Sequence, residues 1–233
     1  MTRPVALITG VGPGTGRALA RRFAEGGYEV AMLARTAERL HEIEQAHANC
    51  HAFVTDVTDA AALERGLTAV ESRLGPPSVV VHNAVGGAFG SFLDIDPAVL
   101  ARNFDVNVMA LLHLARRVAP GMVAAGKGAI IATGNTSALR GRANFAGFAP
   151  TKAAQRILAE AMARELGPKG VHVAYVIVDA VIDLPWTRAR YREAADDFFI
   201  KPEHIADEIW HLAQRPRSAW SFNVELRPFR ETW

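Results

Sequence analysis

The stretch PVALITGVGPGTG, residues 4–16, decides the fold. Its opening is a short apolar run rich in β-branched residues and stopped by Gly10, which reads as a buried strand. Gly10, Gly14 and Gly16 then punctuate a turn that opens onto the helical stretch GRALARRFAEGG. A helix entered this way presents unpaired N–H groups and a partial positive charge at its start, so a pyrophosphate can sit there. A glycine-rich turn is also what any tight strand-to-helix connection requires. The residues after the other strands distinguish the two readings.

Working outward, the pattern is alternation. Strands are expected at 28–35, 51–56, 78–84, 128–134, 171–179 and 221–227, and helices at 36–47, 59–75, 97–124, 151–167, 187–197 and 202–214. Strands that are apolar throughout are buried on both faces. Strands alternating with helices of this length predict an α/β fold, a doubly wound parallel sheet with helices on both faces. Ligands of such sheets bind outside the carboxyl ends of the strands, so residues just after strands one to five face one crevice.

The bulk properties bound the function. The 233 residues suit one large α/β domain better than two small ones. Half are hydrophobic, and 26 Lys and Arg against 24 Asp and Glu leave a formal charge of +2. No cationic run reads as a nucleic-acid footprint, and Arg140 and Arg142 read as solvated loop residues. The single cysteine, Cys50, allows no internal disulfide and fits a reducing compartment, so a cytoplasmic location is expected. The N-terminal apolar run reads as a strand, not a signal peptide, and no run is long enough to span a membrane. No metal site is expected.

Thr9-Gly10-x-x-x-Gly14-x-Gly16 resembles the glycine motif of the short-chain dehydrogenase/reductase family, and the chain length resembles that family throughout. The resemblance implies a single Rossmann-type dinucleotide-binding domain over residues 1–233, with a substrate lid near 180–200. Gly10, Gly14, Thr15 and Gly16 would hold the pyrophosphate. The second strand ends Ala34-Arg35, where NAD-selective folds place a carboxylate for the ribose 2′-hydroxyl. A guanidinium grips a 2′-phosphate instead, so NADP(H) is expected over NAD(H), the alternative being a surface arginine at a helix start. Asp56 and Val57 resemble the residues beside the adenine, the alternative being that Asp56 or Asp59 caps the next helix. In HNAVGG, residues 82–87, Asn83 and Ala84 match the family's Asn-Asn-Ala-Gly while His82 and Val85 differ. Asn83 can brace the sheet edge, and His82 reads as a satisfied histidine rather than a catalyst.

The same resemblance implies a catalytic Asn, Ser, Tyr and Lys. The tyrosine supplies a proton, the lysine one turn on lowers its pKa and holds the nicotinamide ribose, the serine orients the substrate oxygen, and the asparagine completes a water-linked proton path. Asn107 and Lys152 match. Phe148 stands at the tyrosine position and Asn135 at the serine position, so the proton-handling pair is missing. Ser137, two residues on, is either a shifted hydroxyl or a loop hydrogen-bonder. An alternative tyrosine spacing falls on Phe145. Tyr28 and Tyr175 read as strand residues away from the crevice, which leaves Tyr191 as candidate donor or surface packing. Asp179-Ala180 replaces the family's Pro-Gly after the sixth strand, where the backbone of Ile182 could meet the carboxamide.

Two functions follow. One is hydride transfer between NADP(H) and a small carbonyl, imine or activated alkene with an atypical proton donor. The other is an inactive NADP(H)-binding pseudoenzyme with a sensing, structural or partner-regulating role. The family also implies a homo-oligomer, tetramer or dimer, through the helices at 103–124 and 151–167. The terminal aromatics Phe229 and Trp233 would dock on a neighbouring subunit or on their own core.

Overall fold

The computed structural model describes residues 3–231; Trp233 lies outside them. Seven strands form one parallel sheet: β1 (Val5–Thr9), β2 (Glu29–Ala34), β3 (Cys50–Val54), β4 (Pro77–His82), β5 (Gly128–Asn135), β6 (Val171–Val178) and, last in the chain, β9 (Asn223–Leu226). Their order is β3-β2-β1-β4-β5-β6-β9, so the winding reverses between β1 and β4. That reversal opens a crevice at the carboxyl ends, as expected for a doubly wound sheet.

All five residues of β1 and all eight of β6 are buried. Successive strand residues point to opposite faces, so burial of every position requires cover on both. Ala6, Ile8, Val30 and Met32 face a layer built on α1 (Thr15–Glu25), α2 (Ala37–Ala46) and α8 (Pro202–Gln214). Val5, Leu7, Ala31 and Leu33 face α3 (Ala60–Leu74), α5 (Ala110–Ala124) and α6 (Ala149–Leu166). In the first layer Phe23, Tyr28 and Trp210 meet edge-to-face at centroid distances of 5.3 to 5.5 Å. Such contacts add about 0.5–1.5 kcal/mol per pair to the area buried. Tyr28 and Tyr175 are thus core residues.

Two helical expectations change. The helix expected at 97–124 is α4 (Pro97–Phe104) and α5 joined by a π-helical turn, Asp105–Met109. The helix expected at 187–197 is only α7 (Pro185–Arg190), followed by a turn and a 3-10 segment at Asp196–Phe198. Charge pairing explains the break. The Asp183 carboxylate accepts from Arg188 at 2.6 and 2.9 Å and from Lys201 at 2.6 Å, and Asp196 pairs with both of the same cations. Closing that four-membered cluster needs the chain to double back, which a continuous helix would forbid. The same fold-back pairs β7 (Val181–Ile182) with β8 (Phe199–Ile200). Among the described residues no helix is long and apolar enough to cross a membrane.

Candidate active site and cofactor cleft

A cleft of about 410 Å³ lies at the β1/β4 reversal. It is lined by Gly10, Gly14, Thr15, Gly16, Arg35, Asp56, Val57, Asn83, Ala84 and Ile182. These are all the positions expected to touch a cofactor except Lys152. Close approach of the backbone demands glycine at positions 10 and 16. Gly10 has φ +70°, and a Cβ there would lie 2.4 Å from the Ala84 Cα. A Cβ at Gly16 would lie 2.6 Å from the Gly10 carbonyl oxygen, and one at Gly14 would lie 2.6 Å from the Leu184 side chain. Asn83 joins this turn to β5, donating from Nδ2 to the Gly10 carbonyl at 3.0 Å and accepting from the Thr133 hydroxyl at 3.2 Å.

The cleft suits an anion. Helix α1 has no side-chain cap and no carboxylate in its first turn; the Arg17 and Ala18 N–H groups donate to the Gly12 and Gly14 carbonyls, which leaves those of Thr15 and Gly16 for an outside partner. Arg35, just after β2, and Arg39, in the first turn of α2, both line the cleft, and neither makes a salt bridge among the described residues. Asp59 caps α3, accepting from the Ala61 and Ala62 N–H groups. Asp56 holds Thr58 through Oδ1. Burial pushes the Asp56 carboxyl up, but the Thr58 hydrogen bonds and the charge of Arg35 outweigh it and hold the group below its usual range. These residues fit a pyrophosphate with a further anionic group near Arg35.

Of the positions expected to be catalytic, Asn107 and Lys152 belong to one interior hydrogen-bonded set, and the others lie apart from it. Asn107 is fully buried in the π-helical turn. Its Oδ1 accepts from the Gly86 N–H at 3.0 Å, and its Nδ2 donates to the Gly86 carbonyl at 2.7 Å and the Thr151 hydroxyl at 2.8 Å. A π turn releases carbonyls from the helical ladder, and two find side-chain partners. His82 Nε2 donates to the Val106 carbonyl at 3.0 Å, and Gln155 Nε2 donates to the Asn107 carbonyl at 2.8 Å. A carbonyl can only accept, so His82 carries its proton on Nε2 and takes the Thr9 hydroxyl on Nδ1 at 2.9 Å. Burial, with a lesser contribution from the charge of Lys152, pushes His82 down to about 3. It is a satisfied neutral histidine.

Lys152 is 2 % exposed and does not line the cleft. Its ammonium donates to the Thr133 carbonyl at 3.1 Å and to Gln155 Oε1 at 2.9 Å, and burial lowers it to about 7. Phe148 is buried, with its ring centroid 5.9 Å from the Lys152 nitrogen and 5.9 Å from the Phe89 ring. Asn135 ends β5, and its Oδ1 accepts from the Ser137 N–H at 3.1 Å. Ser137 lines a different cleft, of about 730 Å³, with Phe92, Phe145, Arg140 and Arg142. Tyr191 lines neither; its ring packs on Phe198 at 5.4 Å because α7 ends at Arg190. The Ile182 carbonyl accepts from the Thr187 hydroxyl at 2.6 Å. Asp179 extends the β6–β9 pairing, its N–H reaching the Leu226 carbonyl at 2.8 Å.

Sequence reasoning missed Gln155, Arg39 and Leu184, while Trp186, which also lines the cleft, falls in the expected lid. Arg39 carried a signal, since it falls in the first turn of the helix that follows the second strand. Gln155 carried one too, as a polar residue three positions after Lys152 on the buried side of a helix. Leu184 carried none.

Known proteins share this architecture. D-erythrulose reductase of Gallus gallus is 34% identical over 169 residues, 72% of this chain and 67% of that protein. L-xylulose reductase of Bos taurus is 30% identical over 217 residues, covering 89% and 87% of the two chains. A metagenomic short-chain oxidoreductase solved in complex with NADP superposes with a TM-score of 0.84 at 28% identity, over 97% of each chain. The family model for short chain dehydrogenases matches residues 4–188, from the first strand into α7, and this chain belongs to that family.

Proposed function

We propose that the chain binds NADP(H) and reduces a small carbonyl, imine or activated alkene, using a proton source other than residue 148. The observation that carries this reading is the single cleft shared by the glycine turn, Asp56, Asn83 and two guanidiniums, Arg35 at the end of β2, where no carboxylate stands, and Arg39 in α2. Two guanidiniums suit a 2′-phosphate, and a carboxylate there would repel it. The relatives named above reduce small carbonyl sugars by their names, and one structural neighbour holds NADP.

When bound, the cofactor supplies a hydride. The protein's own contributions are orientation and exclusion of water. The uncapped start of α1 would hold the pyrophosphate, and Leu184, packed against Gly14, would close residues 180–200 over it as a lid of the single domain. Asn135 spends its oxygen on Ser137, which leaves its Nδ2 to donate to a substrate oxygen. An amide polarises that oxygen but does not give up a proton. Phe148, buried against Phe89, has no group that can give a proton. General acid catalysis is worth about 10²–10⁴-fold, so substrates that develop little charge on oxygen suffer least from its loss. In a homo-oligomer, α5 and α6 would meet their counterparts, covering the exposed Ile157; a monomer in sedimentation would remove that assignment.

The second reading, a non-catalytic NADP(H)-binding protein, draws on Lys152 and Asn107, whose polar groups are bonded within the protein. Titration with NADPH by fluorescence, followed by a screen of ketones, enones and imines, separates the two. Binding with turnover supports the reductase. Binding without turnover, with ketone reduction appearing in Phe148→Tyr/Asn135→Ser, supports the second reading, and no NADPH binding refutes both.

A further inference from the structure

The groups around Lys152 form one network in which hydrogen bonds link residue to residue. It runs from the Gly10 carbonyl through Asn83 and the Thr133 hydroxyl to the backbone of Thr133, whose carbonyl holds Lys152. It continues from Lys152 through Gln155 to the Asn107 carbonyl, and from Asn107 to Gly86 and Thr151. Gln155 is the link between the lysine and the π-helical turn. It is fully buried, and its orientation is dictated by its neighbours. The Lys152 ammonium can only donate and so faces Oε1; the Asn107 carbonyl can only accept and so faces Nε2. The Tyr175 hydroxyl, 3.3 Å from Oε1, braces the same atom, and Gly134 makes room for that hydroxyl, since a Cβ there would lie 2.1 Å from it.

We propose that Gln155 is a positioning residue that ties Lys152 directly to the Asn107 carbonyl, and that this tether closes the route by which a proton could pass between lysine and asparagine. The chemistry of an amide sets both halves. Its oxygen and N–H hold two partners rigidly, yet the N–H does not ionise at any pH the protein survives, so nothing is relayed through it. Two of the three ammonium N–H bonds go to Gln155 and Thr133, which leaves one. The consequence for turnover rests on the reductase reading above, while the tether itself does not. In that reading the hydride goes to the carbonyl carbon, and the carbonyl oxygen takes its proton from water in the cleft rather than through Lys152.

The test uses the full chain without cofactor, labelled with ¹³C-lysine, and follows the Lys152 Cε resonance from pH 5 to 11. The other titratable groups facing Lys152 are His82 on β4 and Tyr175 on β6; neither is charged near neutrality, and no carboxylate pairs with Lys152 among the described residues. Gln155→Met keeps the volume and removes the acceptor, so the Lys152 midpoint falls by about one pH unit, tenfold in its protonation equilibrium. Gln155→Glu places a carboxylate on the ammonium, so the midpoint rises by about as much. A packing role alone would not move the midpoint in opposite directions. Should Gln155→Met fail to fold, Gln155→Glu still decides. An unchanged midpoint in Gln155→Glu overturns the tether. Failure of the wild type to bind NADPH would refute the cofactor reading and leave this titration standing.

Discussion

Replacing His82 by Asn should make the protein less sensitive to acid, at a cost in stability near neutrality. His82 is fully buried and uses both ring nitrogens in its neutral form, with burial pushing it down to about 3. In the unfolded chain the ring titrates near 6.5. Between these values the unfolded state binds the extra proton, so the contribution of His82 to stability is complete above pH 6.5 and is lost as the pH falls. The slope approaches about 1.4 kcal/mol per pH unit, which amounts to about 2.7 kcal/mol by pH 4.5. This figure needs only a folded value well below 4.5. The replacement amide in His82→Asn cannot titrate. It can keep the Thr9 partner but is too short to reach the Val106 carbonyl, which costs about 1–2 kcal/mol at pH 8 for a lost hydrogen bond and some lost packing. The wild type is then the more stable protein at pH 8 and the less stable one at pH 4.5, with the two curves crossing between about pH 5 and 6. Urea unfolding followed by tryptophan fluorescence at half-unit steps measures both curves, and carboxylate titration cancels in the difference. Parallel curves would refute the reasoning, because they would mean that His82 is not held neutral.

Two other outcomes are expected. Arg35→Ser/Arg39→Ser should weaken NADPH by about 2–4 kcal/mol, from two lost charge-assisted bonds, while changing NADH by less than threefold; equal losses for both cofactors in calorimetric titration would remove the 2′-phosphate assignment. Gly10→Ala should destabilise the fold by about 3 kcal/mol or more, since it combines a positive φ with backbone atoms at 2.4 Å; a melting temperature within two degrees of wild type would contradict the geometry.

The sequence by itself determined the sheet and the cleft, and the reason is local. A strand, a glycine turn and a helix are each specified within a few residues, and alternation of apolar strands with helices leaves a parallel sheet covered on both faces as the solution. Residues that directly follow strands must stand at the carboxyl edge whatever their side chains do, which is why ten cofactor positions named from sequence meet in one cleft. The identity of Phe148 and Asn135 was equally plain. Tertiary structure alone decided where side chains point and which distant groups satisfy them. Lys152 is turned inward by a carbonyl on β5 and by an amide one helical turn on, and the amide is in turn held by a π-helical turn 48 residues away in sequence. Tyr191 is carried onto Phe198 because Asp183, Arg188, Asp196 and Lys201 draw the chain back on itself. Buried polar groups must find partners or cost the full desolvation penalty. Those partners come from whichever elements the fold brings near, and spacing along the chain does not reveal them.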